Sequence, residues 1–352
     1  MENVELKEKE VQEELSVDTP MDKNVRLMSP TRMLLRRFFR SKLSVIGLVM
    51  VIGLFVFCFV GPLVYDAWGE NEPDKSGKTV YATNEYDGKD GDVQYTVHQT
   101  AETEQVNNSE APVSTEHPLG SDKTGLDTLT RLMKGGQVSL IVSFLTVFLM
   151  TIFGVLFGGL AGYFGGWVDN LIMRVCDVLT CLPGMPIMLI IGSAMNAWQE
   201  AGIIESSWRI YILMASLTLI SWTGIARLVR GQILSLREQE FMVAAEAMGY
   251  STGRKIFKHL VPNVMPQLIV QMTLSLGSMI LYEATLSFLG IGVPPEQAAW
   301  GSMIEVITKD QGILQNHPLI WLPAGICIVI AVLGFNFVGD GLRDALDPKA
   351  RR

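Results

Sequence analysis

EFMVAAEAMGYSTGRKIFKHLVPN, Glu240 to Asn263, is a polar and basic interlude between two long apolar segments, and its reading decides the fold. Arg230 to Met248 is rich in strong helix formers, and Gly249 supplies the left-handed position that commonly ends a helix. The chain turns there. Ser251 can cap a second short helix in which Ile256, Phe257 and Leu260 share one face while Arg254, Lys255 and Lys258 point elsewhere, until Pro262 closes it. The expected result is a bent, two-helix projection. Its small side chains, Ala244, Ala245 and Ala247, let another protein's surface approach the backbone closely, which suits docking more than catalysis. An amphipathic helix lying on a membrane surface fits the same spacing.

Outward from this stretch the chain is apolar. Of 352 residues, 49% are hydrophobic, and the mean hydropathy is +0.29, above that of an ordinary soluble domain. Six segments approach the roughly 20 apolar residues a spanning helix needs. They are Leu43 to Tyr65, Val138 to Tyr163, Asn170 to Met195, Ile210 to Leu228, Val264 to Ile291 and Leu319 to Val338. The expected class is an all-α, multi-pass membrane protein. Cys58, Cys176, Cys181 and Cys327 all fall inside these segments, so neither a disulfide framework nor a metal site is expected.

Placement of charge decides topology, whatever the net charge of −8. Arg32, Arg36, Arg37, Arg40 and Lys42 precede the first apolar segment, which the positive-inside rule sets in the cytoplasm. Six crossings return the C-terminus, with Arg343, Lys349, Arg351 and Arg352, to the same side. Both termini and the 229–263 region are therefore expected to be cytoplasmic at the cell membrane. Residues 1–31 read as a flexible tail, 32–65 as the basic segment and first helix, 66–116 as an acidic insert outside, 117–348 as the core, and 349–352 as a basic tail.

The insert holds twelve acids against Lys75, Lys78 and Lys89. Within it TVYAT and VQYTV flank Asp87-Gly88 and Asp90-Gly91, a β-hairpin signal; Glu102 to Thr115 has the composition of a flexible stretch. Ser76-Gly77-Lys78-Thr79 mimics the end of a phosphate-binding loop, but Glu72 occupies the first-glycine position, so it reads as a turn. Gly154, Gly158, Gly159 and Gly162 give small-residue spacings for close helix packing.

Ionisable residues inside the spans need a reason. Arg174 and Asp177, three apart, fit a neutralising pair or a transport role. Glu283 has no neighbouring cation in sequence and fits a structural hydrogen bond or the lining of a path. An ion-coupled secondary transporter could use all three. No HExxH or GxSxG is present, and His98, His117, His259 and His317 are scattered through expected loops, so catalysis by this chain is not expected.

Val243-Ala244-Ala245-Glu246-Ala247-Met248-Gly249 and Pro262 resemble the cytoplasmic coupling motif of ABC-importer permeases, with Val243 where the family has Glu. HPLGSDKTGLDTLTRL (117–132), EATLSFLGIGVPP (283–295) with Trp300-Gly301, and GDGLRDALDP (339–348) are similar to the oligopeptide and dipeptide group, and to its second, C-type permease. The resemblance implies six helices of the type I importer architecture, with ATPase coupling through 240–263. It implies as partners a second permease, two cytoplasmic ATPases carrying ATP and magnesium, and an extracytoplasmic peptide-binding protein. No cofactor in this chain and no nucleic acid are expected; membrane lipid is.

Overall fold

A computed structural model describes residues 30–65, 85–90, 93–98, 112–115, 117–123, 125–293 and 297–346. The tail, the Ser76–Thr79 turn, the TVYAT strand, most of the acidic insert and the last basic residues lie outside the described residues. The helices are α1 (Pro30–Phe38), α2 (Lys42–Val64), α3 (Thr128–Phe164), α4 (Gly166–Cys181), α5 (Gly184–Glu200), α6 (Trp208–Arg237), α7 (Glu240–Ala247), α8 (Thr252–Phe288), α9 (Trp300–Lys309), α10 (Gln311–Asn316) and α11 (Pro318–Leu346). Strands β1 (Glu85–Asp90) and β2 (Val93–His98) pair antiparallel, with Asp90 opposite Val93. That register puts Asp87-Gly88 inside a strand and not in the turn.

Among the described residues five helices are long and apolar enough to cross a membrane: α2, α3, α6, α8 and α11. The sixth expected span is broken. Helices α4 and α5 meet at an angle of 78° around Leu182 and Pro183, because proline lacks the N–H that would continue the helix and holds the preceding residue extended.

Two other prolines do not break their helices. In α2 the turn before Pro62, and in α8 the turn before Pro262, widen to π geometry over Val56–Val60 and Lys255–Leu260. Gly61 N–H then bonds back to the Val56 carbonyl, and Val261 N–H to the Ile256 carbonyl, each five residues earlier. The wider turn moves aside the carbonyl that the proline ring would strike. Pro262 therefore does not close a short helix, as the sequence predicts; the helix runs on to Phe288.

Packing between spans rests on small residues, since lipid removes most of the hydrophobic drive between them. Along α3, a methyl group at Gly154 would lie 2.5 Å from the Ile225 side chain, and one at Gly162 would lie 2.9 Å from the Arg230 carbonyl. Gly158 sits as tightly against Ala226. Helices α3 and α6 thus touch backbone to backbone. Gly47 of α2 meets Phe337 and Gly334 of α11 in the same manner. Phe38 of α1 lies against Gly341, so the first basic segment and the end of α11 share one end of the molecule.

Candidate functional site: the α7 elbow and the groove beside it

Helix α6 stops at Arg237, and after Glu238-Gln239 the chain restarts as α7, so the helix-forming run splits in two. Helix α7 closes on Gly249, whose φ of +70° is left-handed. Gly249 N–H donates to the Glu246 carbonyl at 2.9 Å and Tyr250 N–H to the Ala245 carbonyl at 3.2 Å, the paired bonds of a Schellman end. No neighbour lies within 4 Å of where a Gly249 Cβ would stand. Ser251 is the N-cap of α8, without a side-chain cap bond.

The two faces of α7 differ. Met242 and Ala245 are buried, anchoring the helix. Val243, Ala244, Ala247 and Met248 are exposed on the other side, with Glu246 beside them. Ala245 is therefore an anchor and not part of the accessible knob. Pro262, exposed, lies beyond the elbow inside α8.

The start of α8 departs from its expected faces. Ile256 and Leu260 are buried, but Phe257 is 68% exposed and Lys255 is only 8% exposed. The extra residue of the π turn rotates the positions around it. Phe257 joins Phe148, Ile152 and Met265 along an apolar groove of about 440 Å³ between α3 and α8. Lys255 turns inward, 3.3 Å from the Glu246 carboxylate, with its ammonium over the Tyr163 ring at 5.9 Å. Arg254 lies 4.3 Å over the Tyr250 ring, which stacks on His259 at 5.6 Å. His259 is thus helical, not in a loop.

Further ties fix this end. Arg237 donates to the Tyr163 carbonyl at 3.0 Å. Arg230 grips both oxygens of Asp169, Nε to Oδ1 and Nη2 to Oδ2 at 2.6 Å. Asp169 sits in the first turn of α4, and its partner, 61 residues away, is not visible in the sequence around it.

A polar groove of about 630 Å³ opens beside the elbow, between α6, α8 and the end of α11. Gln232, Asn263, Gln267, Gln271 and Arg343 line it. Asn263, Gln267 and Gln271 recur every four residues, a polar stripe on α8 that was legible in the sequence and is absent from the expected site.

The three ionisable candidates separate. Glu283 is fully buried, and its Oε1 accepts from the Ser287 hydroxyl at 2.8 Å. Arg174 and Asp177 lie far more exposed, 3.9 Å apart, and Asp177 has a nearer partner in Arg227 at 3.1 Å. Among the described residues no three His, Cys, Asp or Glu side chains converge as metal ligands. The arrangement offers an exposed contact ridge on α7 and a polar groove beside it.

Residues 154–352 match the family described as "Binding-protein-dependent transport system inner membrane component", and residues 29–76 match the "N-terminal TM domain of oligopeptide transport permease C". The chain is 32% identical over 332 residues to the dipeptide transport system permease protein DppC of Alkalihalophilus pseudofirmus, covering 94% of each chain. It is 34% identical over 246 residues to the oligopeptide transport system permease protein OppC of Bacillus subtilis, 70% of this chain and 76% of that one. Against OppC of Escherichia coli the identity is 39% over 245 residues, 69% and 76% of the two chains.

Proposed function

This chain belongs to the binding-protein-dependent transport system inner membrane components, in their C-type oligopeptide and dipeptide group, and from that premise we propose how it works. It is a membrane permease subunit of an ABC importer that passes peptides. A second permease completes the path, two ATPases dock on the α7 side, and a binding protein delivers peptide from outside. ATP and magnesium belong to those ATPases, and no cofactor is assigned to this chain.

The observation that carries the coupling assignment is α7 itself. Val243, Ala244, Ala247 and Met248 form an exposed ridge, while Met242, Ala245 and the Lys255–Glu246 pair hold that ridge to the bundle. Gly249 fixes the turn into α8. Displacement of the ridge therefore reaches α6 and α8 together, on both sides of the polar groove. ATP-driven closure of the ATPases would bias the two access states through these contacts.

The α7 end is assigned to the cytoplasm. The Arg36 and Arg37 segment, Arg343, and Arg230 and Arg237 of α6 gather there, which the positive-inside rule favours. Residues 66–116 then lie outside, where they serve as a platform for the binding protein. Glu283 is assigned to packing and not to the path, because it is buried against Ser287. That assignment and family membership leave the ion-coupled carrier without support.

The test is a mild-detergent pull-down of the full chain, with co-purifying proteins identified and ATP hydrolysis assayed. A second permease and two ATPases recovered together support the reading. A chain that purifies alone and transports in vesicles without ATP refutes it.

A further inference from the structure

Arg174 and Arg227 share one carboxylate. Arg227 Nη2 donates to Asp177 Oδ1 and to the Thr180 hydroxyl, each at 3.1 Å, while Arg174 Nη1 stands 3.9 Å from Asp177 Oδ2. Two guanidiniums against one carboxylate leave one positive charge in excess within this group. The group is also open: the side chains of Arg174, Asp177 and Arg227 are 84%, 52% and 42% exposed.

Arg227 stands at the α7-side edge of the apolar run Ile210 to Leu228, and Arg174 four residues into the run that begins at Asn170. Arg227 lies ten residues before the end of α6 and nineteen after its start, about 15 and 28 Å along the axis. On α4, Asn170, Arg174, Asp177 and Cys181 recur at helical spacing and are all exposed, while Leu171, Val175, Val178 and Leu182 form a separate exposed apolar stripe. The apolar stripe suits hydrocarbon, and the exposed charges beside it require water or a polar partner. On α6 the strip continues as Gly224, Arg227, Gly231 and Ser235, and a methyl group at either glycine would meet nothing within 4 Å. Leu228 and Gln232, next along α6, already line the polar groove.

We propose that Arg174 and Arg227 hold the terminal carboxylate of the cargo peptide in transit, and that Asp177 is the counter-ion the cargo displaces. This rests on the peptide-importer reading above. Peptides of different sequence share only their main-chain amides and terminal charges. Asn263, Gln267 and Gln271 match the amides, and the guanidinium fork matches a carboxylate in shape and charge.

The experiment uses the complete transporter in proteoliposomes with ATP on the ATPase side. The probes are a tripeptide and its C-terminal amide, supplied at matched occupancy of the binding protein. The double variant R174Q/R227Q is expected to lower the acid-to-amide uptake ratio roughly tenfold. R174Q alone, at a side chain that supports no core, lowers the ratio in the same direction. An unchanged ratio overturns the proposal, whether both rates hold or both fall equally. So does loss of the second permease from the R174Q complex, which would make Arg174 an interface residue. If the wild-type complex takes up neither peptide, the importer reading itself fails.

Discussion

The Trp300 indole N–H donates to the Leu132 carbonyl at 3.0 Å, fastening the start of α9 to the start of α3 across 168 residues. Trp300 is fully buried, its backbone N–H donates to Ser139 at 3.2 Å, and Gly136 makes room for its ring. Trp300→Ala is expected to cost about 3–5 kcal/mol of stability. Trp300→Phe keeps much of the ring packing and loses chiefly the hydrogen bond, about 1 kcal/mol. Thermal melting of the detergent-solubilised protein separates the two, and equal melting of all three forms would refute this account of the contact.

Gly249 carries a left-handed φ with open space where a side chain would go, so substitution there strains only the backbone. Gly249→Val costs roughly 1–2 kcal/mol, a roughly 5- to 30-fold fall in the native elbow population. Uptake per ATP hydrolysed should fall while membrane insertion holds. Gly249→Asn, which tolerates this region, should retain most uptake. Wild-type coupling in Gly249→Val would remove the elbow from the mechanism.

The Arg230–Asp169 fork joins α6 to the first turn of α4, with side chains 33% and 14% exposed. A double-mutant cycle of Arg230→Gln and Asp169→Asn should return an interaction of about 1–2 kcal/mol. Strict additivity of the two melting shifts would show that the pair contributes nothing.

Asp310 is held below the usual carboxylate range, first by its hydrogen bond from Lys123 and then by the Gly312 backbone N–H. The charged form is favoured in the folded chain, so the pair stabilises above the ordinary value of 3.8. That stabilisation is lost as the pH falls below it, through the depressed folded value. Melting from pH 7 to pH 3 should drop more for the wild type than for Asp310→Asn. Parallel curves would disprove the contribution.

Much of this arrangement was legible because it is local. Gly249 follows a helix-forming run and can only be a left-handed end, and the spans announce themselves by apolar length. Pro183 sits in the middle of an apolar run and marks the α4–α5 bend, yet the run reads as one span on hydropathy alone. The faces of Lys255 and Phe257 were not legible. They depend on a π turn that Pro262 induces, and one added residue rotates every position around it. Nor could Asp169 reveal Arg230, since nothing local to either residue specifies a partner on another helix.

The continuity of α8 through Pro262 has a mechanical consequence. Thr252 to Phe288 is 37 residues, about 55 Å of unbroken rod at 1.5 Å per residue. Its first turn carries the elbow, and its far end lies beside Glu283. A tilt of about 5° at the elbow swings the far tip by about 5 Å over that length. A small angular change at one end of a continuous helix is thus a displacement of atomic size at its other end.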